Sequence, residues 1–229
     1  MAATTARRVD RMRNETAKDA AESVEQDHDL GLERLIFFSD AVFAIAITLL
    51  ALDIHLPELP PNPSDSEMLA AILDAGPKYF SFALSFAVVG LFWIGHHTIF
   101  QAIGRYDAPL MLINLLLLLF IAFIPFPTTL IGDYGNRVTM ILYALLLACT
   151  SLLEVAIRSY SLRHTALLKA GVDLERIRLI RGNPFLLATL FVLSAIVAFF
   201  STDLAWLVWW IILAISVAQV LLNARRTAV

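Results

Sequence analysis

Six side chains that can carry protons, bind ions or form strong hydrogen bonds lie within or at the ends of apolar segments. They are Arg34, Ser39, Asp40, His96, His97 and Asn114. A carboxylate near imidazoles can relay protons, and such groups inside a membrane often mark a proton or ion pathway. The same groups can also form interhelical hydrogen bonds that fix helix register. The residue types alone leave both roles open.

These side chains can form one site only if their segments bring them to one depth in a bilayer. Asp40 lies at the inner end of the first apolar segment, the two histidines near the inner end of the second, and Asn114 near the inner end of the third. Because odd spans run outward and even spans run inward, one network is geometrically allowed. Asp40 could then pair with a protonated histidine or, if its side chain folds back, with Arg34.

The composition is that of an integral membrane protein. Hydrophobic residues make up 59% of the 229 residues, charged residues make up 16%, and the mean hydropathy is +0.75, whereas soluble domains average about 25% charged residues. Because about 20 mostly apolar residues cross a bilayer core, we predict an all-α protein with six transmembrane helices. The predicted spans are 35–54, 79–101, 109–131, 138–157, 184–200 and 204–223. They form a membrane domain over 34–223, between an N-terminal tail at 1–33 and a C-terminal tail at 224–229.

The basic residues predict the orientation of these spans. Fifteen of the 17 Lys and Arg residues fall on one side of the six spans, and Lys78 and Arg137 fall on the other. Positive charge is enriched in cytoplasmic loops. We therefore predict a multi-pass protein of the cell (plasma) membrane with both termini in the cytoplasm.

Two smaller patterns indicate surface positions. The Trp residues near the outer end of the last span are expected to be interfacial anchors; they are Trp206, Trp209 and Trp210. Glu154 and Arg158 have the i, i+4 spacing of an ion pair on a helix surface.

The first span carries an apolar stripe. Ile45, Leu49 and Leu52 follow the i, i+4, i+7 spacing of one helix face, and Thr48 borders that face. At about 100° per residue, Asp40 lies about 140° from Ile45 around the helix. Periodicity leaves open whether the stripe faces lipid or a symmetry axis, where it would line an apolar constriction.

Several motifs relate the chain to a known family. R-x-x-x-F-S-D begins at Arg34, contains Phe38, and is followed by an alternating Ala, Ile and Leu run and an acidic loop with prolines. The second span has Trp-x-x-His-His starting at Trp93, and the third has Asn114 and, at its outer end, "IPFPT". The chain resembles the bacterial branch of the endosomal and lysosomal potassium channel family, transmembrane protein 175.

The resemblance implies a homotetrameric cation channel that has neither a P-loop nor a carbonyl filter. The first span of each subunit would line a central pore in the lipid bilayer. By position within the motif, apolar rings would fall on Ile45, Leu49 and Leu52. Thr48 is then the nearest polar group that can help a partly dehydrated cation.

The resemblance also implies a structural role for the polar residues. The Arg, Ser and Asp of the motif would tie the first span to Trp93 and the histidines of the second span and to Asn114 of the third. The implied permeant ion is K⁺. No cofactor, bound metal or nucleic acid is expected, and no enzymatic activity. The strength of K⁺ selection and the permeation of protons stay open.

Two rival functions fit parts of the same residue set. A proton-coupled secondary transporter would use Asp40 with His96 and His97 as a relay, but a second acidic residue at mid-membrane is absent from the sequence. A haem protein or membrane enzyme is disfavoured because adjacent histidines point about 100° apart on a helix and cannot grip one metal together. The sequence shows neither a nucleophile–base pair nor a metal-ligand cluster.

Overall fold

Helices and the loops that connect them make up the part that the computed structural model describes, which comprises Lys18 and residues 29–172 and 185–227. Side chains are described up to position 218. Most of the predicted N-terminal tail and positions 173–184 of the inner loop lie outside the described residues. An isolated antiparallel bridge joins Ile103 to Leu168. The predicted all-α fold is therefore confirmed for the described ranges.

Eight helices follow one another along the described chain, with a 3₁₀ turn at Thr165–Leu167. They are α1 Asp29–Leu52, α2 Asp65–Asp74, α3 Gly76–Ala102, α4 Ala108–Phe123, α5 Pro125–Tyr134, α6 Arg137–Arg163, α7 Leu186–Phe200 and α8 Thr202–Thr227. Four segments are long and apolar enough to cross a membrane: α1, α3, the joined α4–α5 segment and α6. The apolar helices Leu186–Phe200 and Thr202–Ala218 are shorter.

Three helices extend at least four residues beyond the predicted spans. Helix α1 is already helical at Asp29 rather than from 35, α6 runs to Arg163 rather than to 157, and α8 runs to Thr227 rather than to 223. Hydropathy marks where lipid ends, whereas a helix continues as long as its backbone hydrogen bonds do. The polar ends of these helices therefore extend past the predicted membrane boundaries, and the predicted C-terminal tail begins as helix.

Two prolines break the third membrane segment. Helix α4 ends at Phe123, and α5 begins at Pro125 with Pro127 in its first turn. Proline has no N–H to donate and its ring crowds the preceding turn, so a helix cannot run through this position undisturbed. The break divides the segment into an inner α4 and an outer α5.

Side-chain caps fix where three helices begin. Ser64 and Glu67 form a reciprocal capping box at α2, Asp107 accepts from the backbone N–H of Leu110 at α4, and Asn136 accepts from that of Thr139 at α6. Each cap satisfies a backbone donor that has no partner within its own helix. The starts of α2, α4 and α6 are thus encoded locally.

Helix α6 is the most buried of the four long segments, and α1 is the least. The most apolar window of α6 is 61% buried, against 28% for that of α1. Helix α6 packs against α4, α5 and α7, and α8 closes the group. The core thus lies around α6, and α1 sits at its edge with one face uncovered.

The predicted surface roles of three residues are wrong. Trp209 is 2% exposed and donates its indole N–H to Ser194 Oγ at 3.0 Å. Helix α7 covers this side chain, which therefore does not lie at the membrane interface. Glu154 and Arg158 are 5% and 8% exposed, because the face of α6 that carries them turns toward the helix bundle.

Candidate pore helix and its polar contacts

Helix α1 separates a buried face from an exposed apolar face. Ser39 and Phe43 are 0% and 1% exposed. The three residues of the apolar stripe are 56%, 40% and 76% exposed; they are Ile45, Leu49 and Leu52. Phe38 of the motif is also exposed. Within one protomer, the predicted pore face is free of protein cover.

A buried chain of hydrogen bonds joins α1, α4 and α3. Ser39 Oγ donates to the carbonyl of Leu35 at 2.8 Å and accepts from Asn114 Nδ2 at 2.9 Å. Asn114 Oδ1 lies 2.8 Å from His96 Nε2. The side chains of Ser39, Asn114 and His96 are at most 2% exposed. Three helices are thus held together at one depth by polar groups that satisfy each other.

The donor and acceptor roles in this series of hydrogen bonds fix the tautomer of His96. The single proton of Ser39 is used by Leu35, so Ser39 must accept from Asn114 Nδ2. Asn114 then faces His96 with its carbonyl oxygen, which only an N–H can satisfy. His96 therefore carries a proton on Nε2 and donates to Asn114. Phe100 stacks on the His96 ring at 4.2 Å between centroids.

His97 has a different environment from that of its neighbour. Its Nε2 lies 2.8 Å from Gln101 Nε2, an amide nitrogen that donates, so this ring nitrogen of His97 acts as the acceptor. Its ring stacks on Trp93 at 5.3 Å between centroids. The two adjacent histidines thus hold their protons on opposite nitrogens and do not face one shared ligand.

Asp40 binds Trp93 rather than a histidine or Arg34. The indole N–H of Trp93 donates to Asp40 Oδ1 at 2.9 Å. Arg34 is exposed and forms neither a hydrogen bond nor an ion pair with the residues in the described ranges. The expected pairing of Asp40 differs because the side of α3 that faces this carboxylate presents Trp93, while His96 points to Asn114.

Thr48 lies on the exposed side of α1, next to the apolar stripe. Its hydroxyl donates to the carbonyl of Ile45 at 2.9 Å. Because that bond uses the single hydroxyl proton, the oxygen lone pairs stay available on the exposed face. Thr48 is therefore arranged as an acceptor, which is the polarity that a cation requires.

The outer end of α1 is held by contacts that sequence reasoning missed. Thr129 Oγ1 donates to Asp53 Oδ2 at 2.7 Å, which ties the turn after α1 to α5. Lys78 Nζ donates to the carbonyl of His55 at 3.2 Å and pairs with Asp133 Oδ1 at 2.9 Å. The sequence offered only a weak indication of these contacts: Thr129 lies four residues after Pro125, and Lys78 is one of the two predicted outer cations.

A second buried hydroxyl chain links α6, α3 and α5. Thr128 Oγ1 donates to the carbonyl of Ile124 at 2.8 Å, and the same carbonyl accepts the Thr128 backbone N–H. Ser85 Oγ lies 2.7 Å from Thr128 Oγ1 and 2.9 Å from Tyr143 OH. Since each hydroxyl has one proton, Tyr143 must donate to Ser85, and Ser85 to Thr128. The sequence analysis predicted none of these three hydroxyl residues as site residues.

The inner end of α1 packs against the connection between α3 and α4. A Cβ at Gly31 would collide with the hydroxyl of Tyr106, so the helix can approach this ring only with glycine there. Nearby, Tyr160 OH donates to Asp107 Oδ2 at 2.6 Å. Burial raises the pKa of Asp107, but the hydrogen bonds from Tyr160 and from the Leu110 N–H outweigh it, so this pKa lies below its ordinary value.

Among the residues that the structure describes, no three His, Cys, Asp or Glu side chains are grouped to hold a metal ion. The predicted polar residues divide into three groups. Ser39, His96 and Asn114 form one bonded chain. Asp40 bonds to Trp93, on whose ring His97 stacks, and Arg34 stands apart from both groups.

Comparison with known proteins identifies relatives of this arrangement. A family model described as the endosomal/lysosomal potassium channel TMEM175 matches residues 34–125. A potassium channel of Streptomyces collinus is 34% identical over 153 residues, which cover 65% of this chain and 73% of that protein. The endosomal/lysosomal proton channel TMEM175 of Bos taurus is 32% identical over 151 residues, which cover 64% of this chain and 32% of the bovine protein.

A solved structure shares the fold over most of the chain. The crystal structure of a lysosomal potassium-selective channel TMEM175 homolog from Chamaesiphon minutus aligns with a TM-score of 0.70 at 26% sequence identity. The alignment covers 84% of this chain and 98% of that chain. The similarity therefore extends well beyond residues 34–125, into the helices that surround α1.

Proposed function

Because this chain belongs to the family of the endosomal/lysosomal potassium channel TMEM175, an ion channel family, we propose that it conducts K⁺ passively across the cell membrane. The conducting unit is a homotetramer in which α1 of each subunit lines the central pore. Each subunit has six spans, α7 and α8 being the last two, and both termini lie in the cytoplasm. The potassium channel from Streptomyces collinus, with 73% of its length matched, supports this choice of ion.

The observation that carries the proposal is the two-sided character of α1. Its polar residues Ser39 and Asp40 are bonded to Asn114 and Trp93, while Ile45 and Leu52 point away from the protomer and are more than half exposed. A membrane helix without a pore role also exposes apolar residues to lipid. What favours the pore is that the stripe follows the family motif directly and is bordered by the acceptor oxygen of Thr48.

Four copies of this face would form stacked apolar rings. Leu49 and Leu52 lie about 6 and about 10 Å further along the axis than Ile45, at about 1.5 Å per residue. A narrow apolar ring conducts or blocks according to its radius and wetting. An ion that passes it sheds water, and K⁺ loses water more cheaply than Na⁺. The Thr48 oxygens then replace part of the lost hydration just beyond the narrowest ring.

Ion flux through proteoliposomes tests this mechanism with a matched pair of variants. Ile45→Asn places an amide in the proposed ring and should raise conductance while lowering the K⁺/Na⁺ permeability ratio. Ile196→Asn on α7 is the control, since Ile196 is 52% exposed and Ile45 is 56% exposed. The control should leave the permeability ratio unchanged. Equal ratios in wild type and Ile45→Asn would count against the pore assignment.

The same preparation separates the proposal from its rival. A passive channel moves K⁺ only down its electrochemical gradient, whatever the proton gradient. A proton-coupled transporter that uses Asp40, His96 and His97 would drive K⁺ against its gradient when a proton gradient is imposed. Proton permeation through the same pore is an additional candidate activity, because the bovine relative is named a proton channel.

A further inference from the structure

Four side chains and one carbonyl form a polar cluster around the outer end of α1, which we call the outer clasp. Its members are Asp53, the carbonyl of His55, Lys78, Thr129 and Asp133. Lys78 bridges the segment after α1 and the end of α5, and Thr129 ties Asp53 to the middle of α5. The clasp thus joins the segment that follows α1 to α5 and to α3 by two bonds, of 2.7 and 3.2 Å, and a third bond of 2.9 Å joins Lys78 on α3 to Asp133 on α5.

Apolar packing alone leaves this end of α1 loosely held. Leu52 is 76% exposed, and Leu50, at 2% exposed, is the last buried residue of the helix. A small cavity lies between the clasp and Leu50, lined also by Phe82 and Thr128. Because little apolar contact holds the last turn of α1, the polar bonds determine how close it stays to α3 and α5.

The other side of the clasp is firmly placed. A Cβ added at Gly132 would lie 3.2 Å from Lys78 Cα and 2.9 Å from Ser81 Oγ, so α5 approaches α3 closely at this point. This approach brings Asp133 next to Lys78. Because α3 and α5 are fixed against each other, a bond from either of them positions α1 rather than the reverse.

We propose that Lys78 and Thr129, through the outer clasp, are positioning residues that set the spacing of the outermost apolar ring at Leu52. This inference rests on the proposed function, because it requires α1 to line the pore. When the clasp is intact, its bonds hold the last turn of α1 against α3 and α5, away from the pore axis. When it is broken, this turn is released from α3 and α5 and samples positions nearer the pore axis, so the ring at Leu52 narrows.

Single-channel recording in planar bilayers tests the proposal. Lys78→Met and Thr129→Val should each shift the ratio of narrow to wide states about two- to fivefold, the range that partly exposed polar pairs support. Conductance and subconductance occupancy should change accordingly, while the K⁺/Na⁺ permeability ratio, set at Ile45, should change little. Lys78→Arg should restore wild-type behaviour because it keeps the charge and the donors.

Arg137→Met is the matched control for charge. Arg137 is the other outer cation, and its guanidinium lies 5.0 Å from the ring centroid of Phe199. Its removal changes the charge at the outer mouth without touching the clasp. If Arg137→Met and Lys78→Met alter conductance equally, the effect is one of local ion concentration and the positioning role is overturned.

Crosslinking gives a second readout that does not depend on current. In a Cys149→Ala background, Leu52→Cys should form intersubunit crosslinks, and Thr129→Val should speed their formation, because this variant narrows the ring without changing any charge. Unchanged crosslinking and unchanged conductance, with Ile45→Asn still altering permeation, would refute the clasp alone. If Ile45→Asn leaves permeation unchanged and the Leu52→Cys variant forms no crosslinks, the proposed function itself fails.

Discussion

Replacing Asn114 with leucine should be the most informative single change in the helix bundle. The Asn114 side chain is fully buried and accounts for the polar contact between α4 and both α1 and α3. Leucine has the same branched shape, with methyl groups in place of the amide oxygen and nitrogen, so the site stays filled while both hydrogen bonds are lost. Because Ser39 lies close in sequence to the apolar stripe, the change loosens the register of α1.

The structure allows the size of this effect to be worked out. Interhelical hydrogen bonds in membranes contribute about 0.6 kcal/mol on average and up to about 1.7 kcal/mol each. Two lost bonds therefore cost about 1–3 kcal/mol. The upper part of that range is expected, since the His96 N–H is left buried without its acceptor, and an orphaned buried donor is costly.

Reversible unfolding in mixed micelles measures this free energy, and two serines give a matched comparison. Ser39→Ala removes the acceptor of Asn114, whereas Ser161→Ala removes a buried hydroxyl that bonds only its own helix, at Ile157. Ser39→Ala should therefore destabilise more than Ser161→Ala. In a double-mutant cycle, Ser39→Ala should cost less once Asn114 is leucine. Additive costs, or an Asn114→Leu effect within error of zero, would refute the hydrogen-bond chain as described.

Two further predictions concern the other polar contacts. Tyr143→Phe should lower the free energy of unfolding by about 1 kcal/mol. Ser85→Ala should lower it more, because that change leaves the buried Tyr143 hydroxyl without its acceptor. Thermal unfolding in detergent measures both variants, and the reverse order of stability would contradict this prediction. Asp107 has a lowered pKa, so its carboxylate stabilises the fold above its ordinary pKa of about 4. This contribution is lost as the pH falls through the lowered value. Tyr160→Phe should weaken the acid sensitivity of the unfolding midpoint, and an unchanged pH profile would argue against the bond.

The parts of the site that could be predicted from sequence are those that depend on one helix. Helical periodicity alone separates Asp40 from the stripe that contains Ile45, because both residues lie on the same element. The proline pair at 125 and 127 similarly predicts a break within the third segment, since the missing N–H groups are a local property. These inferences need no knowledge of how neighbouring helices are rotated.

The contacts that could not be predicted depend on the rotation of a second helix. His96 and His97 are adjacent, and only the rotation of α3 decides that His96 faces Asn114 while Trp93 faces Asp40. Trp209 lies in a sequence pattern typical of interfacial anchors. Its burial follows from the position of α7, whose Ser194 accepts the indole N–H.

The uncovered face of α1 has a consequence for the order in which a subunit folds and assembles. Within a single protomer, the buried polar groups of α1, α3 and α4 already satisfy one another, and the face left open is aliphatic. A newly synthesised subunit can therefore finish folding with ordinary lipid around its first helix. The open face of α1 does not have to be covered by another subunit first. Completed subunits can then meet by lateral diffusion and oligomerise. On association, the open face of α1 exchanges its contacts with acyl chains for contacts with identical subunits.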